Sequence, residues 1–427
     1  MNDPLRVLYV LNSASGGATQ GIVEMLKGLT HSRYQAYIVI PNSASQGQLR
    51  RFEKLAARTE VVPMSWWSRS AAGPLPWRTI AWGSGAMRTT FHARSVATLH
   101  RLIRQWGIHL VYTNTAVIFD GALAARMCGL PHLWHIKECI GRHGRVKFTL
   151  PDRALTRIIS ALSGRVIVMS RFIGEVFERH GLEDSLLLLP DAVNLHEYAG
   201  NLRGEELRRK LTVRDHHRLI GMVASLSSTW KQHQLFIQMA GLLAGRYPEL
   251  RFVVFGREPK LHRNPTYNRP WEYYQNLKRE VQQRRLGDRF IWAGYWENIP
   301  QMMDALDILV HPCEIEPFGR IAIETMAAGR PVVGPDRGGI AETVRHRKTG
   351  LLVEAGNEHA FAEAVERLIQ NKELRLWMGE NGRTHVASHF SLRQHVDKVS
   401  AIYDEIAAGS IDRRTVRQPS ELLELPD

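Results

Sequence analysis

Residues 311–334 read HPCEIEPFGRIAIETMAAGRPVVG, and no other stretch says as much about the fold of this chain. The apolar residues that lead into His311 are typical of a buried strand, and Pro312 ends it because proline cannot donate to a sheet ladder. The run from Arg320 to Ala328 has a helical composition, and Gly329 ends it. The pattern predicts a strand, a polar loop, a short helix and a second strand.

Two carboxylates, Glu316 and Glu324, lie on either side of the predicted junction between loop and helix. Backbone amides near Phe318, Gly319 and Arg320 should be free at the helix N-terminus, where they attract anions and oxygen-rich groups. Carboxylates at such a place can accept hydrogen bonds from the vicinal hydroxyls of a ribose or a hexose. The alternative is that Glu324 caps the helix and Glu316 lies in a solvated loop.

This segment resembles the donor-binding motif of the GT-B glycosyltransferases of family four. The resemblance rests on the seven residues between Glu316 and Glu324, on the following run 326–333 and on Gly338-Gly339, and it extends more weakly over most of the chain. It implies an α/β fold, GT-B, with two Rossmann-like domains facing across a cleft and C-terminal helices that cross back to the first domain. It also implies an enzyme that transfers a sugar from a nucleotide-diphosphate sugar to an acceptor hydroxyl with retention of configuration.

The length of 427 residues is too great for one ordinary core, so two domains are expected. We expect an N-terminal Rossmann-like acceptor domain over residues 1–192 and a Rossmann-like nucleotide-sugar donor domain over 193–388. Residues 389–427 are then a crossover helix followed by a mobile tail.

The composition indicates a soluble globular protein, because 44% of the residues are hydrophobic and no apolar run is long enough to span a bilayer. The start at Met1 runs directly into a strand and predicts no signal peptide. Cys128, Cys139 and Cys313 lack metal-ligand spacing and fit a reducing cytoplasm, so we expect a cytoplasmic protein. The formal charge of +14 points to a polyanionic partner.

The N-terminal half begins like a doubly wound sheet. Leu5–Leu11 has the pattern of a buried strand, residues 12–21 form a glycine-containing loop, and a helix is predicted from Ile22 onward. Gly16 and Gly17 would let a ligand approach the backbone closely, although a purely structural turn is equally compatible. In the resembled family this loop faces the cleft and contributes to donor binding.

Further strands are predicted at 36–40, 110–113, 132–135 and 165–169, with helices between them, for example Phe119–Met127. Ligands bind beyond the carboxyl ends of such strands. His135 lies at one of these ends and matches a cleft histidine of the family that is thought to touch the donor sugar, while a hydrogen-bonded structural histidine is the alternative. Glu138 is a weaker candidate for contact with the acceptor or a cation.

In the C-terminal half, a strand at 219–224 is followed by a polar loop and a helix predicted from Leu235. Lys231, expected at the beginning of that helix, can neutralise a diphosphate. The family normally places an arginine earlier in this loop, where this chain has Ser225, and Arg257 is a candidate replacement. The insertion 260–274 is predicted to be a loop at the cleft edge, followed by a basic helix over 277–285.

One stretch favours membrane contact, because no acidic residue lies between Glu60 and Asp120. Arginine and tryptophan together suit the headgroup region of an anionic membrane. The stretch contains Arg69, Arg78, Arg88, Arg94, Arg101, Arg104, Trp66, Trp67, Trp77, Trp82 and Trp106. The alternative is a helix whose core stripe, 99–106, is flanked by solvated arginines. We expect a protein peripheral to the inner face of the membrane.

These observations assign roles to individual residues. Lys231 and the helix amides would stabilise the leaving diphosphate without a metal, since no Asp-x-Asp motif or metal cluster is apparent in the sequence. Glu324 would hold the ribose, while Glu316 and the amides of Phe318 and Gly319 would hold the sugar. His135 and Glu316 form the expected catalytic set, and no cofactor is expected.

The expected acceptor is a glycan or a lipid-linked saccharide. Two rival functions use the same architecture: a sugar-nucleotide epimerase, which needs no acceptor, and a non-catalytic nucleotide-sugar-binding subunit, which Ser225 favours. A nucleic-acid partner would also explain the positive charge, but the arginines follow no recognised nucleic-acid motif, so none is expected.

Overall fold

The computed structural model describes residues 3–14, 16–29, 33–41, 45–64, 66–69, 92–141, 144, 146–148 and 150–409. Within these residues the chain forms two compact units. The first unit contains the described residues up to Asp191 together with those from Leu392 onward, and the second runs from Ala192 to Ser391. The chain therefore leaves the first unit once and returns to it at its last described helix.

The described residues of the first unit form nine strands, two of which make a separate short ribbon. They are β1 (Leu5–Val10), β2 (Tyr34–Ile40), β3 (Arg58–Val61), β4 (Ser68–Arg69), β5 (Leu110–Thr113), β6 (His132–Ile136), β7 (Lys147–Phe148), β8 (Arg165–Val168) and β9 (Leu186–Leu188). The main sheet is parallel, in the order β3-β2-β1-β5-β6-β8-β9, and β4 pairs antiparallel with β7.

The helices of the first unit lie on both faces of its sheet. They are α1 (Gly17–Gly28), α2 (Gln46–Glu53), α3 (92–106), α4 (Asp120–Cys128), α5 (Asp152–Leu162), α6 (Arg171–Glu178) and α15 (Leu392–Ala407). Successive side chains of β1 alternate between two cores: Val7 and Tyr9 belong to one, Leu8 and Val10 to the other. A parallel sheet covered on both faces explains why its strands are apolar throughout rather than alternating.

The second unit is built in the same way on a six-stranded parallel sheet. Its strands are β10 (Arg218–Val223), β11 (Leu250–Phe255), β12 (Phe290–Gly294), β13 (Ile308–Val310), β14 (Val332–Pro335) and β15 (Gly350–Val353). Its helices are α7 (Gly204–Lys210), α8 (His233–Ala244), α9 (Arg269–Gln283), α10 (Ile299–Ala305), α11 (Arg320–Ala327), α12 (Gly339–Thr343), α13 (Glu358–Gln370) and α14 (Lys372–His389). The strand order is β12-β11-β10-β13-β14-β15.

The strand order of the second unit positions its polar loops. Because β10 lies between β11 and β13, and β14 follows β13, the loops after these strands meet at one edge of the sheet. The loops after β10, β13 and β14 carry Lys231, Glu316 and Gly338 respectively. The predicted strand, loop, helix and strand of residues 311–334 are confirmed as β13, α11 and β14.

Several predicted boundaries were wrong. Helix α1 begins at Gly17 rather than after Gly21, so Gly17 lies in the helix and only Gly16 precedes it. Lys231 does not begin a helix but ends a short 3₁₀ turn (Thr229–Lys231), since Gln232 adopts a left-handed conformation before α8. The insertion predicted as a loop to residue 274 is helical from Arg269, because proline is accommodated in the first turn of α9.

Among the helices of the described residues, none is long and apolar enough to cross a membrane. The predicted membrane stretch is described only in part, because Arg78, Arg88, Trp77 and Trp82 lie outside the described residues. The predicted mobile tail after residue 409 also lies outside them.

Candidate functional site

The candidate site of the second unit surrounds the N-terminus of α11. Gly319, with φ of 89°, precedes the helix in a left-handed conformation that glycine adopts without strain. No side chain caps this helix end within the described residues. The amides at the start of α11 are therefore available to an anionic or oxygen-rich ligand.

A cluster of three side chains lies at the carboxyl edge of the sheet, on the loop that leads into α11 and on the loop after β10. Lys231 Nζ lies 2.6 Å from Glu316 Oε2, and His311 Nε2 lies 3.1 Å from the same oxygen. His311 is buried, while Lys231 and Glu316 are each less than a fifth exposed. One carboxylate oxygen thus joins the ends of two neighbouring strands, β10 and β13.

The charges in this cluster follow from the geometry. Burial alone would raise the pKa of Glu316, but the positive charge of Lys231 and the hydrogen bonds from His311 and Lys231 outweigh it and hold that pKa well below its ordinary value. Burial lowers the pKa of His311 despite its bond to Glu316. The cluster therefore consists of an ionised Glu316, a cationic Lys231 and a neutral His311 that donates from Nε2.

Glu324 lies on the first turns of α11 and is largely buried. Its Oε1 accepts a hydrogen bond from Nε of Arg320 at 2.8 Å, four residues earlier on the same helix. The alternative that Glu316 is a solvated loop residue is wrong, since it is mostly buried and forms an ion pair. Both carboxylates are held in fixed positions by cations, as a rigid binding site requires.

Gly338 and Gly339 support the loop that carries Glu316. Gly338 has φ of 67°, and a Cβ built on it would lie 3.1 Å from the carbonyl oxygen of Glu316 and 3.2 Å from that of Glu314. The amide of Gly339 donates to the Glu316 carbonyl at 2.8 Å. The two backbone segments can approach closely only because both positions are glycine. This contact fixes the backbone of Glu316.

Within the described residues, one grouping offers donor atoms for a metal ion. The ligand atoms of His311, Cys313 and Glu316 all lie within 4.8 Å of one another, which the sequence spacing of the cysteines did not predict. The ammonium of Lys231 already contacts Glu316 and competes with any cation there. Thiolate, imidazole and carboxylate all suit a soft divalent ion, but such an ion would have to displace the Lys231 ammonium from Glu316.

Ser225 stands where the resembled family has an arginine, and it lies in a polar loop after β10. The Ser225 hydroxyl lies 2.8 Å from that of Ser227. Arg257, the candidate replacement after β11, is exposed, and its guanidinium lies over the ring of Tyr295 at 4.7 Å. It follows a strand adjacent to β10 and so lies at the same edge of the sheet.

In the first unit, Gly16 and Gly17 lie at the N-terminus of α1. Gly16 has φ of 99° and requires glycine for that reason. Among the described residues, a Cβ on either position would meet nothing within 4 Å, and none of their side chains caps the helix. This second open helix N-terminus follows β1 at the carboxyl edge of the first sheet.

His135 is a buried residue near the end of β6, beside Tyr112 on the neighbouring strand β5. The Tyr112 hydroxyl lies 2.5 Å from His135 Nδ1. Burial lowers the pKa of His135 well below its ordinary value, with the charge of Lys137 adding to the effect. His135 Nε2 makes no hydrogen bond to any described residue.

Glu138 is engaged in the structure of its own loop. It accepts hydrogen bonds from the Thr115 hydroxyl at 2.5 Å and from the amide of Ala116 at 2.7 Å. Burial raises its pKa despite these bonds. Beside it, Lys137 Nζ lies 2.7 Å from Asp191 Oδ1 in a buried ion pair.

Two of the tryptophans assigned to a membrane surface are packed into the first unit. Trp67 donates from Nε1 to the carbonyl of Ala116 at 2.6 Å and lies against Phe119 and Trp134. Trp106 is buried on α3 and stacks on Tyr37. Trp67 is therefore engaged within the first unit, whereas Trp66 is 48% exposed.

Three residues of the site were not assigned to it from the sequence. His311 was assigned only to a strand end, Arg320 only to a helix start, and Tyr112 only to a strand. The i, i+4 spacing of Arg320 and Glu324 is a signal that could have revealed their pairing. The contacts of His311 and Tyr112 depend on which side chains and strands become neighbours, which no local pattern shows.

Comparison with known proteins supports the glycosyltransferase superfamily. Residues 204–385, nearly all of the second unit, match the family described as "Glycosyl transferases group 1". The matched residues include Lys231, Glu316 and Glu324 of the candidate site.

Among characterised relatives, the chain is 29% identical over 227 residues to the D-inositol 3-phosphate glycosyltransferase of Corynebacterium glutamicum, which is 52% of each protein. It is 25% identical over 308 residues to the lipopolysaccharide core biosynthesis mannosyltransferase LpsB of Rhizobium meliloti, covering 66% of this chain and 85% of that protein. The chain spans 52% to 60% of the length of two of the curated relatives that it matches.

Among solved structures, Anabaena Alr3699/HepE in complex with UDP aligns with a TM-score of 0.74 at 21% identity, over 94% of this chain and 100% of that one. A glycosyltransferase from Rickettsia africae aligns with a TM-score of 0.75 at 19% identity, over 95% and 99%. These likenesses establish the fold: two Rossmann-like parallel-sheet units, as in glycosyltransferases of the GT-B class.

Proposed function

We propose that this protein is a retaining glycosyltransferase of family four, which moves a hexose from a nucleotide-diphosphate sugar to an acceptor hydroxyl. The observation that carries the proposal is the Lys231–Glu316 ion pair beside the uncapped N-terminus of α11. One edge of the sheet carries a cation, a fixed carboxylate and uncapped helix amides. Together they can contact both phosphate and sugar hydroxyls.

Each group in the second unit has a part in this proposal. Lys231 exchanges its contact with Glu316 for a contact with the donor diphosphate and stabilises the charge that develops on the leaving group. Glu316 and the amides of Phe318 and Gly319 hold the sugar. Glu324, oriented by Arg320, accepts hydrogen bonds from the ribose hydroxyls.

The first unit contributes a neutral hydrogen-bond donor, the imidazole of His135, in this proposal. The Tyr112 hydroxyl stays protonated because burial raises its pKa well above its ordinary value, so it can donate its proton to His135 Nδ1. The proton of the imidazole is then on Nε2, which offers an N–H to a sugar oxygen. His135 thus acts by binding rather than as a general base.

The comparisons support a nucleotide-sugar donor in particular. The Anabaena protein was crystallised with UDP and with UDP-glucose, and LpsB is a mannosyltransferase of lipopolysaccharide synthesis. We propose a glycan or lipid-linked saccharide as acceptor, in the synthesis of a cell-surface polysaccharide or glycolipid. No metal or cofactor is required in this scheme, because Lys231 and the helix amides supply the positive potential.

Peripheral contact with an anionic membrane is part of this proposal. It is now supported by Trp66, which is 48% exposed, and by the positive charge of the chain. Flotation of the full chain with vesicles of anionic lipid at low salt tests it. Absence of flotation there would remove the membrane from the proposal while leaving the transferase intact.

The experiment that tests the proposed function is turnover with a panel of nucleotide-diphosphate sugars, with and without a lipid extract as the acceptor source. We expect release of the nucleoside diphosphate to rise with the extract and labelled sugar to appear in the lipid fraction. Formation of a free epimer would instead indicate an epimerase. Donor binding without turnover across the panel would indicate a non-catalytic subunit.

A further inference from the structure

A cavity lies at the amino edge of the second sheet, opposite the edge that carries Lys231 and Glu316. It has a volume of about 170 Å³. Its wall includes Arg218, the first residue of β10, and Asp307, which directly precedes β13. Because parallel strands run in one direction, a cavity at their starts is separate from a site at their ends.

The cavity is lined by far more positive than negative charge. Four cations, Arg218, Arg330, Lys372 and Arg375, surround it together with one carboxylate, Asp307. That carboxylate is already engaged, since its Oδ2 accepts from Arg208 Nη1 at 3.0 Å and from a backbone amide at 2.8 Å. Arg330 is paired with Asp304, so the other three cations leave the cavity with a net positive potential.

Arg375 is the central observation, because it is only 5% exposed. Its Nη1 donates to two carbonyls in the last turn of α13, those of Leu368 at 2.7 Å and Ile369 at 3.5 Å. None of the residues that the structure describes accepts a hydrogen bond from its Nε or Nη2. Neither atom is fully buried, so both reach the cavity and can donate to an anion that enters it.

The other cations are likewise incompletely paired. The described contact of the Arg218 guanidinium is a long one, 3.5 Å, to a backbone carbonyl. Arg330 uses Nη2 for Asp304, while its buried Nε has no partner among the described residues. Burial lowers the pKa of Arg375; the charge of Asp307 opposes this effect, while repulsion from Arg218 and Arg330 adds to it. Three guanidinium groups are thus held close together against their mutual repulsion.

A larger cavity nearby does not share this property. It has a volume of about 890 Å³ and also lies at the amino edge. Its three arginines, Arg209, Arg214 and Arg251, are balanced by three carboxylates, Asp215, Glu249 and Asp288. Charge, rather than size, distinguishes the smaller cavity.

We propose that the cavity formed by Arg218, Arg330, Lys372 and Arg375 is a binding site for a tetrahedral oxyanion, either inorganic phosphate or the phosphate group of a small phosphomonoester. Its volume is below the roughly 300–1,000 Å³ of pockets that enclose a drug-sized ligand, so it takes one such group rather than a nucleotide. Guanidinium groups match phosphate oxygens in geometry and charge. The site lies outside the proposed donor site and does not depend on it.

Calorimetric titration of the full chain with inorganic phosphate, and separately with glycerol phosphate, tests this proposal. We expect saturable binding that Arg218→Gln weakens by about tenfold, because a hydrogen bond to a charged group is lost. Lys372→Gln should weaken it less, since Lys372 is exposed. Tighter binding of glycerol phosphate than of phosphate would identify a phosphomonoester as the ligand, and the reverse would identify the free ion.

Two control variants separate this site from general charge effects and from the donor site. Arg279→Gln removes an exposed arginine of α9 outside the cavity and should leave phosphate binding unchanged. Lys231→Gln alters the proposed donor site and should also leave it unchanged. At one phosphate concentration, the unfolding temperature of the wild type should rise more than that of Arg218→Gln.

Two results would overturn the proposal. One is the absence of saturable phosphate binding to the wild type. The other is equal binding by the wild type and a folded Arg218→Gln variant, with unchanged circular dichroism. Loss of binding in Lys231→Gln alone would place the anion at the donor site and so also reject the cavity.

Discussion

The hydroxyl of Tyr112 lies 2.5 Å from Nδ1 of His135, and both residues are buried. This contact joins two adjacent strands, β5 and β6, at the side chain that the family resemblance assigns to the donor sugar. It fixes the orientation of the ring as well as the nitrogen that carries the proton. Tyr112 is accordingly a positioning residue, which acts through His135.

Tyr112→Phe should therefore impair His135 without removing it. The variant lets the imidazole proton move from Nε2 to Nδ1, so the preorganised hydrogen-bond donor at Nε2 is lost. We therefore expect kcat to fall by about tenfold or more, with a smaller change in KM. ¹⁵N NMR of the histidine should show Nε2 protonated in the wild type and a mixture of tautomers in the variant.

Tyr9→Phe is the matched control for this prediction. It removes another buried hydroxyl of the same core, which bonds to Tyr403 at 2.8 Å and not to His135. The control should keep both the tautomer and kcat. A purely structural role for Tyr112 would instead give both variants the same small loss of activity and no change in the ¹⁵N shifts.

Glu324→Gln should weaken donor binding while leaving the fold intact. The amide cannot accept as strongly from ribose hydroxyls, and Arg320 loses its ion pair, so the Kd for a nucleoside diphosphate should rise by roughly ten- to a hundredfold. Glu314→Gln is the control, since its carboxylate is more exposed and pairs with Arg337. Unchanged affinity in Glu324→Gln would remove Glu324 from the proposed site.

Gly338→Ala should displace the loop that carries Glu316. The new Cβ would meet the backbone of Glu314 and Glu316, so we expect both lower stability and weaker donor binding. Gly356→Ala provides the comparison, because Gly356 also has a positive φ, 77°, but faces open space. It should cost about 1–2 kcal/mol from backbone strain alone and leave donor affinity unchanged. Equal donor affinities in the two variants would contradict this assignment.

Stability should fall in acid partly because of His132. Burial lowers the pKa of His132 to about 3, and in the unfolded chain it is about 6.5, so the unfolded state binds more protons between these values. The free energy of unfolding should therefore decrease as pH drops from about 6.5 toward 3, by up to about 1.4 kcal/mol per pH unit for this group.

Urea unfolding at several pH values measures this dependence. His132→Gln should be less stable than the wild type near neutral pH, because it disturbs the bond to Thr113, but its stability should decline less steeply in acid. Identical slopes for the two proteins would show that the group titrates in the same way in both states.

The strands and the helix around Glu324 could be predicted from the sequence because their signals are local. An apolar run, a proline and a glycine marked β13, α11 and its end. The sequence also indicated the glycine pair at 338–339, although not that it packs against the backbone of Glu316. Local patterns were misleading where conformation depends on a single residue, as at Gln232, whose left-handed backbone separates Lys231 from α8.

The pairing of Lys231 with Glu316 could not be read from the sequence, since 84 residues lie between them. It arises because β10 and β13 are neighbours in the sheet although β11 and β12 come between them in the chain. The contact between Tyr112 and His135 arises in the same way from the pairing of β5 with β6. Strand order is set by the packing of the whole unit, so local periodicity predicted the parts of the site but not their partners.

The return of the chain to the first unit has a consequence for biosynthesis. Helix α15 packs on α1, and Tyr403 bonds to Tyr9 in the first core, so part of that core is supplied by residues beyond 391. The second unit is continuous in sequence and can complete its own core as soon as it has left the ribosome. The first unit must wait, with one face of its sheet partly uncovered, until α15 has been translated, so the domain begun first is finished last.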